Sequence, residues 1–187
     1  MSNTATLPYR LGTADIECHY PVIIGADQVI GSVFRWHRDW FVQSSAGEHE
    51  LGRPPKGNRG SDMAAAYLAG EYAAGRVTAT PLSEIAVKVP PAAGEVPLLH
   101  PRLPDTDRNR RGARTALAGL AEYQWTPLAG FPGSDNPWYL RCELCTWTGP
   151  RYWSHLRGRN NQPPSPHRHD DCIGEDKVRE QIAAYQK

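Results

Sequence analysis

The sequence predicts an α+β protein: a small antiparallel β-sheet with one helix, a proline-rich linker, and a C-terminal module built around two Cys/His pairs. Short β-branched and aromatic segments fill the first 45 residues, and an alanine-rich helical segment follows them. Prolines then interrupt residues 76–107, at positions 81, 90, 91, 97, 101 and 104. Finally, Cys142 and Cys145 are separated by two residues, as are His169 and Cys172. These changes along the chain predict three segments: 1–75, 76–114 and 115–187.

Composition narrows the classes of protein that this chain can be. Its 187 residues suffice for one mid-sized domain or two small ones, and the net charge of +1 means that any nucleic-acid contact needs a local basic patch. Four cysteines at this length do not indicate a secreted disulfide framework. The first residues lack a signal-peptide pattern, and no apolar stretch has the length of a transmembrane helix. We therefore expect a cytoplasmic protein with no membrane partner.

The first 45 residues predict a small antiparallel sheet. Residues 15–24 are expected to form one or two short strands around Pro21. Residues 28–36 are rich in β-branched and aromatic side chains and are expected to form another strand. Residues 39–45 are its expected hairpin partner, with His37, Arg38 and Asp39 near the turn.

A single helix should follow this sheet. Residues 46–60 are rich in Gly and Pro and are expected to form a loop. Ser61 is the predicted N-cap of a helix over residues 63–74, and Gly75 is its predicted stop.

The linker should contain little regular structure. Residues 85–89 are its one candidate strand, and the remainder is expected to be extended or of polyproline II type. Residues 105–114 carry four arginines, and residues 115–123 are expected to form a short helix that leads into the C-terminal module.

The two Cys/His pairs form the pattern C-x2-C-x23-H-x2-C, which is typical of a zinc site. Two residues between ligands allow both side chains of a pair to reach one ion, and two such pairs complete a tetrahedral shell. The predicted Zn2+ ligands are Cys142, Cys145, His169 and Cys172. His167 and His155 remain alternatives to His169 as the fourth ligand. If there is no metal site, the pattern reflects a pair of buried cysteines and unrelated surface histidines. Cys18 stands far from these residues and is expected to be a small buried side chain.

Local patterns around the ligands predict the shape of this module. A strand from Trp138 enters the first Cys pair, Gly149 turns the chain, and residues 151–153 return as a second strand. Residues 174–187 place Val178, Ile182 and Tyr185 at helical spacing. A knuckle, a hairpin and then ligands at the start of a helix is the order of a treble-clef zinc finger.

Residues 123–172 also resemble a family of small zinc-finger proteins from actinobacteria and their phages. The resemblance rests on the segments Tyr123–Leu128, Phe131–Gly133, Pro137–Trp138, Arg141–Cys145 and Arg168–Cys172. These correspond to the Pro-Leu, Pro-Gly and Pro-Trp lead-in, the C-x2-C knuckle and the Arg-His-x-x-Cys pair of that family. Thr146 departs from the family pattern, because a Gly commonly follows the second Cys. The resemblance implies the same four ligands and an intracellular setting, but no activity.

Four protein ligands leave no open coordination position, so the zinc is expected to be structural and the protein a binding module. Arginines and tryptophans around the site suit phosphate contact and base stacking. The predicted nucleic-acid contacts, to DNA or RNA, are Arg141, Arg151, Arg157, Arg159, Arg168, Trp147 and Trp153. A protein–protein adaptor is the first alternative. An HNH-like metal-dependent nuclease that uses His155, Asn160 or Asn161, and His167 is the second.

Overall fold

The computed structural model describes residues 7–86, 88, 90–91 and 95–186. The chain forms two compact units, and the boundary between them falls after Lys88. Each unit combines an antiparallel sheet with helices, so the predicted α+β class is confirmed. None of the helices in the described ranges has the length and apolar character needed to span a bilayer.

The N-terminal unit is built on one antiparallel sheet. Its strands are β1 (Tyr9–Leu11), β2 (Tyr20–Ile24), β3 (Gln28–Trp36), β4 (Asp39–Ser44), β5 (Gly47–Gly52) and β6 (Thr80–Pro81). The first five are adjacent in chain order, and β6 pairs with the first two residues of β3, beyond the part of β3 that pairs with β4.

The β3–β4 hairpin follows the sequence prediction closely. Trp36 pairs with Asp39, so only His37 and Arg38 form the turn. Both turn residues have positive φ values, 49° and 87°. Two-residue hairpin turns of this kind match the right-handed twist of the strands. The turn therefore fixes the register that places Val33 and Val42 opposite each other.

Helix α1 (Gly60–Ala73) packs on one face of this sheet. Leu68 of the helix is fully buried with Val22 and Val33 of the strands. The small side chains of Ala64 and Ala65 are also fully buried, which lets the helix lie close to the strands. This apolar layer is the core of the unit.

Three details of the N-terminal unit differ from prediction. The expected loop at 46–60 contains β5, an edge strand whose mostly exposed side chains show no apolar alternation. Helix α1 begins earlier than expected: its N-cap is Arg59, and Ser61 lies inside the first turn. The predicted strand at 85–89 is absent at Ile85 and Ala86, which follow a 3-10 turn at Leu82–Glu84; Val87 and Val89 lie outside the described residues.

The segment predicted as a linker, 76–114, contributes to both units. Strand β6 extends the N-terminal sheet. Helix α2 (Asp107–Glu122) includes most of the arginine-rich stretch and is longer than the helix predicted at 115–123. The division after Lys88 therefore differs from boundaries at 75 and 114.

The C-terminal unit combines a three-stranded sheet with helices. The sheet has the order β7 (Trp125–Pro127), β8 (Pro137–Cys142), β9 (Thr148–Tyr152), with both pairings antiparallel. Helix α2 packs against β7 and against the short helix α3 (Trp153–Leu156). A last helix, α4 (Glu175–Gln181), is followed by a 3-10 turn at Ala183–Tyr185.

Helix α2 is amphipathic despite its many charges. Its N-cap is Thr106, whose hydroxyl accepts a hydrogen bond from the Asn109 amide at 3.2 Å. Ala113, Ala116 and Leu120 are fully buried and form a narrow apolar stripe. Two of these three residues are alanines, and arginines surround them, so the apolar periodicity in the sequence is weak. This explains why the predicted helix was shorter than α2.

The C-terminal unit confirms one expectation, about its last helical segment, and corrects another, about its hairpin turn. Val178, Ile182 and Tyr185 form the predicted buried cluster of the last helical segment. The hairpin turn, however, comprises residues 143–147, and Gly149 lies within β9. The Cys knuckle is thus itself the β8–β9 turn.

Candidate metal centre

The first ligand pair lies at the end of β8 and in the turn that follows it. The Cys142 amide donates to the Trp147 carbonyl, and the Thr146 amide donates to the Cys142 carbonyl, both at 2.8 Å. Thr146 has a φ of 65°, the left-handed conformation that favours glycine. This tight turn brings both sulfur atoms to the same side of the hairpin.

The second ligand pair lies in an irregular segment before α4. The Cys172 amide donates to the His169 carbonyl at 3.2 Å, which closes a compact turn. Residues 157–174 contain no helix or strand, so the position of this turn depends on the side-chain contacts that it makes.

The four predicted ligands converge. Their ligand atoms all lie within 4.8 Å of one another. The Cys172 sulfur is 3.9 Å from the Cys142 sulfur and 3.9 Å from the Cys145 sulfur, and Nε2 of His169 is 3.0 Å from the Cys145 sulfur. This group could hold a metal ion.

The group is buried on one side and open on the other. Cys142 is fully buried and His169 is 8% exposed, whereas Cys145 is exposed and Cys172 half-buried. The imidazole of His169 stacks on Trp147, with ring centroids 4.5 Å apart and an interplanar angle of 11°. The indole therefore covers one face of the histidine ligand.

Arg168 contacts the ligand group, a role that was not predicted for it from the sequence. Its guanidinium lies over the Trp125 ring, 4.1 Å from the centroid, and the residue is only 1% exposed. Nε donates to the Cys142 sulfur at 2.9 Å. Its two terminal nitrogens donate to the carbonyls of Tyr123 at 2.8 Å and Gln124 at 2.6 Å. The signal available in the sequence was its place directly before a ligand histidine.

Local electrostatics suit the ligand roles of Cys142 and His169. Burial raises the pKa of Cys142, but the hydrogen bond from Arg168 and backbone N–H donation bring it below its ordinary value. Burial, together with the charges of Arg151 and Arg168, lowers the pKa of His169, which keeps the imidazole neutral as ligation requires. Burial and the neighbouring thiols raise the pKa of Cys172 to about 11.

The alternative histidines lie outside this group. His155 is an exposed residue of α3, and its ring packs at a tilt against Tyr152. His167 is exposed, with Nε2 3.8 Å from an Asp170 carboxylate oxygen. Within the described ranges, neither belongs to a cluster that could hold a metal.

A second cluster of potential ligands lies in the N-terminal unit and consists of Asp15, Glu17 and His19. Lys88 already forms ion pairs with both carboxylates, at 3.1 and 2.6 Å. Cys18, between these residues, is buried as predicted, and burial raises its pKa.

The arginines and tryptophans predicted to contact nucleic acid do not form one exposed surface. Arg168 and Trp153, which is 5% exposed, are core residues and have no surface to offer a base. Arg151 is half-buried over Trp147, 5.3 Å from the ring centroid. Arg141 pairs with Glu143 at 2.9 Å, and Arg159 with Asp135 at 3.6 Å.

Of that predicted set, Arg157 is exposed, and no ion pair of its side chain is found among the described residues. The prediction is therefore corrected at Arg168 and Trp153, whose side chains lie inside the module, whereas Arg157 and Arg159 lie at its surface.

Comparisons with known proteins do not assign this chain to a family. No protein-family model matches the chain, and no curated protein and no solved structure matches it. Functional inference therefore rests on the site itself.

Proposed function

We propose that the C-terminal unit is a structural zinc module in which Cys142, Cys145, His169 and Cys172 bind one Zn2+. The observation that carries this proposal is the convergence of four ligand atoms from two distant segments to within 4.8 Å. In addition, none of these cysteines forms a disulfide, so all three sulfurs are available as thiolate ligands.

The donor set favours zinc over other ions. Three thiolates and an imidazole are the sulfur and nitrogen ligands typical of structural zinc. A tetrahedral ion with Zn–S bonds of about 2.3 Å separates two thiolates by roughly 3.8 Å. The observed sulfur separations of 3.9 Å agree with that value. When bound, the ion would cross-link the knuckle to the segment before α4.

The treble-clef-like arrangement and the resemblance to small actinobacterial and phage zinc fingers remain part of this proposal. What supports them is the order of a Cys knuckle in a hairpin, followed by a second ligand pair three residues before a helix. A thiolate-rich site also suits the reducing cytoplasm, where we place the protein.

Metal analysis of the purified protein tests the zinc assignment. One equivalent of zinc is expected by mass spectrometry of the metal content, with loss in Cys142→Ser and in Cys145→Ser. Cys18→Ser is the matched control, because Cys18 is the cysteine outside the ligand group, and it should retain the zinc. Equal zinc content in all four proteins, or none in the wild type, would reject the site.

We further propose that this module contacts nucleic acid, through α2 rather than through the knuckle. Arg108, Arg111 and Arg114 are exposed and follow one another at three-residue spacing. They lie on the side of α2 opposite its buried stripe and span about 9 Å along the axis. No ion pair of these three arginines is found in the described part of the chain, whereas Arg110 is held by Asp105.

Such a row suits the phosphates of DNA or RNA, because unpaired guanidiniums can each replace a bound counterion. Binding that weakens steeply with salt is expected, and replacing all three arginines by Gln should reduce the salt slope by about one for each phosphate that the variant no longer neutralises. The control replaces Arg38, Arg53 and Arg59 by Gln, which removes the same charge from exposed positions in the N-terminal unit. Binding that does not respond to ionic strength would instead favour an adaptor for a protein partner.

We propose a binding module rather than an enzyme, since four protein ligands would leave the zinc no open position. Incubation of the purified protein with plasmid DNA and magnesium, manganese or nickel tests this. Metal-dependent nicking that is lost in His155→Ala would favour the HNH-like alternative.

A further inference from the structure

Arg168 joins three parts of the C-terminal unit through one planar group. Its Nε–H reaches the Cys142 sulfur at the end of β8, and its two terminal nitrogens reach carbonyls directly after α2. The next residue, His169, contributes its own side chain to the ligand group. The same short segment thus supplies one ligand and the donor to another.

The charge of Arg168 needs a counter-charge in this buried position. A guanidinium that is 1% exposed is costly to hold unless an anion lies beside it. No ion pair between Arg168 and a carboxylate is found among the described residues, and its remaining partners are neutral carbonyls and the Trp125 ring. The anion in direct contact with it is the sulfur of Cys142, and the Glu143 carboxylate acts on it only at longer range.

The formal charge of the metal-loaded ligand group also favours a cation at the position of Arg168. Three thiolates, a neutral imidazole and a divalent cation together carry one net negative charge. On the buried side of the centre, where Cys142 lies, an uncompensated negative charge is costly, and the guanidinium in contact with that sulfur balances it. Hydrogen bonds to a ligand atom also fix its orientation and tune its donor strength.

We propose that Arg168 is the positioning and charge-balancing residue of the metal centre, which holds the Cys142 thiolate through Nε–H and ties the centre to the end of α2. This role rests on the proposed zinc site. It also implies that Cys142 is the least reactive of the three ligand thiolates, since Cys145 is exposed and Arg168 donates to Cys142 alone among them.

Metal affinity measured by competition with a chelating dye tests the role. Arg168→Met should weaken zinc binding about 10- to 100-fold, the usual effect of removing a hydrogen-bond partner of a ligand. Arg168→Lys should fall between this variant and the wild type, because it keeps the charge but not the planar fork. Arg179→Met is the control, since the Arg179 side chain is exposed and its one ion pair among the described residues is a weak one to Glu175 at 3.8 Å.

A spectroscopic measurement separates this role from simple core packing. In the Co2+-loaded protein, loss of the N–H···S bond should shift the thiolate-to-cobalt charge-transfer band in Arg168→Met. Alkylation by iodoacetamide should then modify Cys142 earlier relative to Cys145 than in the wild type. A wild type that binds one zinc, with an Arg168→Met variant of equal affinity and an unchanged band, would overturn the role and leave the zinc site intact.

The wild-type protein provides a test that does not depend on a variant folding. In the 113Cd-loaded, 15N-labelled protein, the Arg168 Nε proton should show scalar coupling to cadmium across the hydrogen bond to Cys142. A resolved Nε–H signal without that coupling contradicts the proposal. A wild type that binds no metal rejects the zinc site, and the role of Arg168 with it.

Discussion

Gly119 of α2 lies so close to the indole of Trp153 that a Cβ atom at position 119 would overlap the ring. Trp153 is 5% exposed, and α2 packs directly on the short helix that begins with it. This contact and its burial give Trp153 an internal packing role, because almost none of the indole is left exposed to stack on a base. It also makes position 119 sensitive to the smallest possible addition.

Gly119→Ala should therefore destabilise the C-terminal unit. Overpacking of a close contact costs about 1–3 kcal/mol, which exceeds the gain of about 0.5–1 kcal/mol from replacing a helical glycine by alanine. The matched control is Gly112→Ala on the same helix, where an added Cβ meets Phe131 at an ordinary 3.7 Å. Urea denaturation followed by tryptophan fluorescence should show opposite signs for the two variants. Equal stabilisation by both would mean that Trp153 moves away without cost.

The ligand pairs and the β3–β4 hairpin could be predicted because their signals are local. Residues 28–36 are rich in β-branched and aromatic side chains and form β3 over the same range. The two x2 spacings, at Cys142 and at His169, concern side chains on single turns. In both cases the physical constraint acts within a few residues.

Features that depend on distant contacts were not predictable in the same way. Strand β5 is an edge strand with no buried face, so it carries no apolar alternation. Arg168 looks like a surface charge in its own segment, because the carbonyls that accept from it belong to Tyr123 and Gln124, more than 40 residues earlier. Burial of a charge is decided by such tertiary partners and not by neighbouring residues.

The N-terminal unit contains a similar close contact, between Gly60 and Trp40. A Cβ at position 60 would overlap the indole of Trp40, which packs on the core at the start of α1. Gly60→Ala should cost about 1–3 kcal/mol. Gly70→Ala, at an exposed position in the last turn of α1 with no atom within 4 Å of the added Cβ, should instead stabilise by about 0.5–1 kcal/mol. Thermal unfolding by circular dichroism measures both, and a stabilised Gly60→Ala variant would refute the packing argument.

The N-cap of α2 offers a prediction on the helix that carries the arginine row. The Thr106 hydroxyl accepts from the Asn109 amide, one of the N–H groups that the helix itself leaves unpaired. Thr106→Ala should lower the free energy of unfolding by about 1 kcal/mol. Thr106→Ser keeps the hydroxyl oxygen and should stay within a few tenths of a kcal/mol of the wild type. Equal losses in the two variants would assign the effect to the methyl group and not to the cap.

Removal of the metal should loosen the C-terminal unit while the N-terminal sheet keeps its protection. Residues 157–174 contain no helix or strand, so ligation by His169 and Cys172 is the strongest proposed link between this segment and the β8–β9 hairpin. Apparent binding energies of structural zinc are about 10–16 kcal/mol, as large as the whole stability of a typical domain. The zinc-free unit is therefore expected to lose its ordered knuckle.

Hydrogen exchange with and without a chelator measures this loss. The amides of Cys142, Thr146 and Cys172, which form the two ligand turns, should exchange much faster after zinc is removed. Amides of the β3–β4 hairpin should be unaffected, because no ligand of the centre lies in that unit. Added zinc should restore protection in the wild type but not in Cys142→Ser. Unchanged protection of the knuckle after verified zinc removal would show that hydrogen bonds and the Arg168 contacts suffice to hold it.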